Sequence, residues 1–373
     1  MDFSLSETQE SVRDLARQVF TGGVRHERLL ELERSGEWFD AELWKALVAA
    51  GLPAVAVPER CGGSGLGILE LCLVLEEQGR AVAPVPLFAT SLCGALPIAE
   101  FGSPAQQDRW LRPLVDEGAL LSAALVEPAA TDPLLPRCEA RREAGGWRLS
   151  GIKDCVPVAD RAIAVLVPAQ TPEGVGLFAL DPRGAGVALE RQITTHREPQ
   201  YRITLDGAPV ADDAVLGAPG RGAAQLAWLV ERAMLGLAAI QLGVVQSALR
   251  DTAAYIAERK QFGRPIATFQ GVALRAADAW IDVEALRAVV MQAAWQASAG
   301  RDAAAAIGAA KWWAAEAGQR VVHTAQHLHG GIGSDIEYPV HRYFLWSKQN
   351  ELLLGGASQQ AARLGVLLTS SRA

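Results

Sequence analysis

Two short segments combine residue types that can hold a charged ligand. In YIAERKQFGRPIATFQ, Tyr255 to Gln270, Arg259 is followed by Phe262 and then by Gln270. A guanidinium fixed at a helix end can grip a phosphate through two parallel hydrogen bonds, and it can equally serve as a partner for the negative end of the helix dipole. In QHLHGGIGSDIEYPVHRYF, Gln326 to Phe344, the hydrogen-bonding side chains of Gln326 and His327 precede Gly330 and Gly331. A glycine pair lets backbone approach a ligand closely because it carries no Cβ; it also commonly caps a helix. Each motif by itself leaves both readings open. The other reactive types are less organised. Cys61, Cys72, Cys93, Cys138 and Cys155 are odd in number, form no C-x-x-C pair and do not cluster with histidines, which predicts reduced, partly buried thiols and no metal site. His196, His323 and His341 have no partners at ligand spacing and read as surface or helix-end residues. Trp312 and Trp313 read as core or interface packing.

These residues must be positioned by a chain of 373 residues, half of them hydrophobic, which is enough for two or three domains. Ser6 with Gln9 forms a capping-box signature, and Val12, Leu15, Ala16, Val19 and Phe20 then recur at helical spacing. Helices dominate to about residue 118, interrupted by the glycine-rich connection Gly51 to Gly67 and resumed in an apolar helix from Ile68 to about Gly79. From Ala119 the period shortens. SAALVE, RAIAVLVPA, VGLFALD and YRITLD are β-rich and separated by turn residues at Gly146, Pro172-Glu173-Gly174 and Asp206-Gly207. After Gly217-Ala218-Pro219-Gly220 the helical period returns, with long helices over about 223–259, 268–299, 302–328 and 339–370, the pattern of an antiparallel four-helix bundle. The prediction is an α+β chain with an N-terminal helical domain (1–118), a middle β domain (119–217) and a C-terminal four-helix bundle (218–373).

Charge and composition exclude some functions. The net charge of -7 offers no basic footprint for nucleic acid. The start MDFSLSETQESVRD lacks the charged and apolar regions of a signal peptide, and no segment gives the uninterrupted apolar run of a membrane span, so a cytoplasmic protein is expected.

Three stretches, in order along the whole chain, resemble acyl-CoA dehydrogenases. PERCGGSGLG within Gly51 to Gly67 is similar to the family's PEExGGxGL connection. Tyr255 to Gln270 is similar to the Y-x-x-x-R-x-x-F-G-x-x-I-x-x-F-Q signature, the most specific of the three, and Gln326 to Phe344 resembles the family's glycine turn and the helix after it. The resemblance implies FAD at a subunit interface. Arg259 would then bind the pyrophosphate of the neighbour's cofactor, Phe262 would pack on it, and Gln270 would lie near it. Gln326 and His327 would add hydrogen bonds beside the Gly330-Gly331 turn. It further implies an acyl-CoA substrate and an electron acceptor such as electron-transfer flavoprotein.

The departures from the family concern the chemistry of the substrate. Dehydrogenation needs a carboxylate base to take the α-proton of the thioester while the β-hydrogen leaves as hydride. One place that supplies it in the family precedes a Gly-Thr or Gly-Ala pair; here the stretch is Leu354-Gly355-Gly356-Ala357, and Gly355 has no carboxylate. The other, counted back without gaps from Arg259 through Gly243, is Ala233. Glu231 lies about 200° away around the helix, and Glu351 one turn before Gly355; both read as solvated surface charges. The family loop Thr-Glu-Pro-Gly-Ala-Gly-Ser-Asp is here Val126-Glu127-Pro128-Ala129-Ala130-Thr131-Asp132. The flavin-stacking Lys-x-Trp-Ile-Thr-Asn is Lys153-Asp154-Cys155-Val156-Pro157-Val158, in which Pro157 has no N–H to give.

Groups for this chain's own flavin and substrate are lost, and those reaching a neighbour's FAD are kept. That asymmetry resembles subunits of heteromeric acyl-CoA dehydrogenases of bacterial steroid side-chain breakdown, in which a homologous partner subunit holds the base. Three other readings stand beside it: a self-sufficient homotetramer using Glu231 or Glu351, a non-catalytic acyl-CoA or protein-binding module, and a flavin monooxygenase.

Overall fold

The computed structural model of the chain describes residues 3–143, 145–218 and 220–370. Pro219 of the expected Gly217 to Gly220 connection, and residues 1, 2 and 371–373 of the expected terminal domains, lie outside them.

The first third is helical: α1 (Glu7–Gly23), α2 (His26–Ser35), α3 (Ala41–Ala49), α4 (Ile68–Ala81), α5 (Leu96–Phe101) and α6 (Pro104–Glu117). Their starts follow local chemistry. At α1 the Ser6 hydroxyl accepts the N–H of Gln9 while the Gln9 side chain accepts the N–H of Ser6. The same reciprocal box recurs at Ser103 and Gln106, with Pro104 at the first helical position of α6. A π-helical stretch, Phe88–Ala95, runs into α5.

Strands follow: β1 (Leu120–Ala123), β2 (Glu139–Glu143), β3 (Gly146–Pro157), β4 (Ala162–Thr171), β5 (Gly174–Leu180), β6 (Val187–Gln192), β7 (Gln200–Ala211) and β8 (Val215–Leu216). They form one sheet in the order β6-β7-β3-β2-β4-β5-β8, with β1 parallel to β4. β2 and β6 carry no signal in the hydrophobic pattern, because EARRE and VALERQ present charged residues on exposed strand faces.

The last part comprises α7 (Gly222–Glu258), the short hairpin β9 (Lys260–Gln261) and β10 (Arg264–Pro265), α8 (Gln270–Ser298), α9 (Ala304–His329), α10 (Val340–Leu352) and α11 (Ala357–Ser370). The expected fourth helix, 339–370, is therefore two helices. They are separated by a turn in which Leu354 and Gly355 take φ of 58° and 103°, outside the helical region.

The chain folds into two compact units. One is made of Met1–Gly36, Cys72–Ala83 and Met234–Ala373, the other of Glu37–Leu71 and Pro84–Ala233. In the second, the sheet buries Leu149, Trp147, Leu166, Val167, Phe178, Ile203 and Leu205, and Trp147 meets Phe178 edge to face at 5.4 Å. In the first, α4 and α7 cross backbone to backbone: a Cβ at Gly79 would strike the Ile240 carbonyl, and one at Gly243 the Glu76 carbonyl. The buried Gln241 amide ties α7 to α10, donating to Ser347 at 2.6 Å and accepting from Asn350 at 3.1 Å. α7 is the one helix among the described residues long and apolar enough to cross a membrane, and 83% of that stretch is buried inside the fold.

Candidate functional site

The two sequence clusters converge on one face of the first compact unit. The last turn of α7 carries Tyr255, whose ring stacks on His329 at the end of α9 with centroids 4.4 Å apart. The Tyr255 hydroxyl also donates to the His329 carbonyl at 3.4 Å. This stack joins the end of the arginine segment to the start of the glycine turn. Sequence reasoning takes His329 only as the first residue of the glycine turn and gives Tyr255 no role, although the spacing of Tyr255 and Arg259 by one helical turn is an available signal. His329 is buried. Its Nδ1 donates to the Ala325 carbonyl at 2.8 Å, while Nε2 has no partner among the described residues. Burial pushes this imidazole below its ordinary pKa, so it is neutral near pH 7.

Arg259 begins the connection out of α7: its N–H still closes on the Tyr255 carbonyl at 2.8 Å. Its guanidinium is exposed, and no carboxylate among the described residues pairs with it. The hairpin that follows pairs Gln261 with Arg264 and Lys260 with Pro265, leaving Phe262 and Gly263 as a two-residue loop with φ of 52° and 79°. Positive φ at both centres is the type I′ requirement. A phenylalanine there costs on the order of 1–2 kcal/mol, and its ring is 93% exposed. A strained, solvent-facing aromatic is the kind of outlier that marks a binding position. Phe269 meets Phe262 edge to face at 6.2 Å, and the Arg264 guanidinium lies 4.3 Å over the Phe269 ring. Gln270 is the exposed first residue of α8.

At the other end of the face, Gly330 has φ of 65°, and a Cβ on Gly330 or Gly331 would meet no atom within 4 Å. The outer side of this turn is open. Gln326 is partly committed: its amide nitrogen donates to the Gly333 carbonyl at 2.9 Å, and only Oε1 is unpartnered among the described residues. His327 is exposed and lines a groove of about 890 Å³ between α8 and α9 with Arg275, Asp278, Asp282, Arg320 and His323.

The usual base positions carry no titratable group. Ala233 is fully buried on α7, and Gly355 sits in the α10–α11 turn. The displaced glutamates are not the solvated surface charges expected. Glu231 is half-buried and pairs with Arg232 at 3.1 Å, and Glu351, only 16% exposed, pairs with Lys348 at 2.8 Å. One histidine reading is also corrected: His196 is buried 3.2 Å from Glu198, with Trp38 edge-on at 5.7 Å. His341 is a helix-end residue, second in α10, buried with Nδ1 on the Tyr338 carbonyl at 2.6 Å. His323 is exposed.

In the sheet, Glu127 and Lys153 form a buried ion pair at 2.6 Å. Lys153 also donates to the Pro168 carbonyl, and Glu127 accepts the N–H groups of Arg137 and Cys138. Burial alone would raise the Glu127 carboxyl; Lys153 and the two amides outweigh it and hold it below the usual range. The glutamate kept in the loop is thus its anchor. At the neighbouring bulge the Cys155 N–H already donates to Gln192 at 2.8 Å, and Asp154 is held by Arg202 and Gln192. The cysteines are free, four buried and Cys155 half-buried, and no group of three His, Cys, Asp or Glu among the described residues could hold a metal.

Models of the acyl-CoA dehydrogenase N-terminal and C-terminal domains match residues 6–118 and 220–364. A curated relative, the acyl-CoA dehydrogenase FadE27 of Mycobacterium tuberculosis (strain ATCC 25618 / H37Rv), is 38% identical over 98% of both chains. The chain belongs to the acyl-CoA dehydrogenase family. FAD is its cofactor, and the α+β helical–sheet–helical fold is that of the family. Among solved structures similar to this acyl-CoA dehydrogenase, a variant of the steroid ACAD Tcur3481-Tcur3483 has 46% identity and a TM-score of 0.92. The ChsE4-ChsE5 complex from Mycobacterium tuberculosis has 37% identity and a TM-score of 0.93. Each alignment covers 99% of both chains.

Proposed function

We propose that this acyl-CoA dehydrogenase is the subunit of a heteromeric enzyme that completes a partner chain's FAD site and supplies no catalytic base. The carrying observation is the contrast between two sets of residues. Arg259, Phe262 and the open Gly330-Gly331 turn face outward, unpaired or uncovered among the described residues. Ala233 and Gly355 stand where a carboxylate would be needed, and Glu231 and Glu351 are held by cations. The outward face suits a dinucleotide: a guanidinium for the pyrophosphate, an aromatic ring for stacking, and a turn with clear space above it. When bound, FAD supplies the hydride acceptor. Arg259, Phe262, Gln270, Gln326, His327, Gly330 and Gly331 hold and orient it from this side. On the sheet, Pro157 and the occupied Cys155 N–H leave little with which to hold a second flavin ring. The similarity to a steroid ACAD and to the two-component ChsE4-ChsE5 complex supports a bulky, steroid-like acyl-CoA and a homologous partner; a cytoplasmic setting and electron-transfer flavoprotein as acceptor belong to the same proposal. The three sequence blocks, 1–118, 119–217 and 218–373, are proposed as its domains.

The test is co-expression with an acyl-CoA dehydrogenase homologue encoded beside it, followed by flavin absorbance per chain in the purified complex. One flavin per two chains, with little flavin on the isolated subunit, is the expected result. Full flavin occupancy and acyl-CoA turnover by the isolated chain would overturn the proposal.

A further inference from the structure

Away from the cofactor face, the first compact unit holds a second cleft, of about 270 Å³, lined by the end of α1, the start of α2, the end of α4, and α7 and α10. Its side chains differ in what they have left to give. Glu77, 2% exposed, accepts Arg17 through Nε and Nη2 and Arg80 through Nε, which occupies both of its oxygens. Arg342 is buried and fully used: Nε and Nη2 donate to the Glu33 carboxylate at 2.7 and 2.9 Å, and Nη1 donates to His26 Nδ1 at 3.1 Å. A guanidinium cannot accept, so His26 carries its proton on Nε2. That Nε2 has no partner among the described residues. Neither has Nη1 of Arg80, whose Nη2 donates to Glu76 at 2.7 Å. Arg250 gives Nε to Asp251 at 2.9 Å and leans on the Tyr343 hydroxyl, with N–H bonds of its Nη groups to spare. The Tyr343 hydroxyl is itself spent on Asp251 at 2.7 Å. Apart from the Thr21 hydroxyl, which can donate or accept, the unspent polar side chains of the cleft are all donors.

We propose that this cleft is a binding site for a small organic monocarboxylate, gripped by Arg250, Arg80 and His26, with its short apolar chain against Phe20, Leu29 and Val82. Unused donors select an anion, and the planar edge of a guanidinium matches the two oxygens of a carboxylate. The charges already present balance, Arg17, Arg80, Arg250 and Arg342 against Glu33, Glu76, Glu77 and Asp251. A dianion such as phosphate would therefore give up its hydration with no surplus cation to replace it. Phe20, Leu29 and Val82 are buried and line the cleft, which favours a ligand with an apolar body over a fully hydrated ion. Because the site is assembled from α2, α4, α7 and α10, it exists only in the folded unit, and occupancy stabilises that unit. Its residues are distinct from the cofactor-facing set, so the inference stands or falls independently of the reading of this chain as a subunit without a base.

The experiment is thermal unfolding of the full chain with sodium butyrate, butyramide or inorganic phosphate at constant ionic strength. Butyrate is expected to raise the midpoint saturably at millimolar concentration, phosphate less, and butyramide not at all. Arg250→Gln, a change at a side chain 63% exposed, is expected to weaken butyrate binding by at least about tenfold. In the unaltered chain, butyrate should slow hydrogen exchange at 24–30 and 339–344 and leave the sheet strands β4 and β5 unchanged. Butyramide matching butyrate would reduce the cleft to an apolar hollow and overturn the proposal, and phosphate binding more tightly than butyrate would overturn it as well. Unchanged affinity in Arg250→Gln, or exchange at 24–30 and 339–344 that butyrate does not alter, places the binding elsewhere and has the same consequence.

Discussion

At the scale of single residues, Phe262 and Arg259 trade stability against binding in opposite ways. Phe262 holds a left-handed conformation with its ring 93% exposed, and its edge-to-face contact with Phe269 at 6.2 Å repays only part of the strain. Asparagine tolerates that conformation better. Phe262→Asn is therefore expected to stabilise the isolated chain by about 1 kcal/mol in urea unfolding, while flavin retention by the assembled enzyme falls. A destabilised variant would show that the ring is packed in the free chain after all. Arg259 makes no ion pair among the described residues, and Arg259→Ala should leave the unfolding midpoint where it is. Removing a charged hydrogen-bonding partner of a pyrophosphate is worth roughly 1.5–3 kcal/mol, about tenfold or more in flavin affinity. Arg259→Lys should recover only part, because a point charge lacks the planar fork. Equal affinity in the alanine and wild-type complexes, measured by flavin release on dilution, would remove Arg259 from the site.

At the scale of elements, close crossings and buried pairs decide more than helix propensity does. Gly243→Ala forces a methyl group into the Glu76 carbonyl where α7 crosses α4, and overpacking of this kind costs about 1–3 kcal/mol. A variant as stable as wild type by thermal unfolding would mean that the two helices separate easily. In the sheet, Lys153→Met leaves the Glu127 carboxylate buried without its cation, an expected loss of about 3–5 kcal/mol. Adding Glu127→Gln should return part of it. The elements also show what can be read in advance. Capping boxes and the helical period mark α1 and the long C-terminal helices to within a few residues, because those signals are local. β2 and β6 escape such a reading because their exposed faces are charged, so the alternation that marks a strand is absent. The break at 353–356 does carry a local signal, Gly355-Gly356, which the helical period on either side of it outweighs. The ligand face is visible as motifs, but the Tyr255–His329 stack that joins them exists only in three dimensions.

At the scale of the whole molecule, one buried amine leaves a trace in the pH dependence of folding. Burial pushes Lys311 from 10.5 down to about 7; Glu351 pulls it back up and Arg363 pushes it further down. The unfolded chain holds this proton up to the ordinary lysine value. Between about pH 7 and 10.5 the unfolded state therefore binds one proton more than the folded state, and the contribution of Lys311 makes stability rise with pH, by up to about 1.4 kcal/mol per pH unit. Its sign is that of a depressed group: the contribution is complete above the unfolded value and is lost as pH falls through the folded one. Other groups titrate in the same window, among them the buried thiol of Cys138 and the half-buried thiol of Cys155, whose pKa values burial raises. They are common to wild type and Lys311→Met, so the difference between the two urea-unfolding curves from about pH 7 to 9.5 isolates the amine. That difference should shift steadily in favour of the wild-type chain as pH rises. A flat difference would mean that the carbonyls of Asn350, Glu351 and Gly355, to which the buried Lys311 nitrogen donates at 3.0 Å each, hold the proton as firmly as water does.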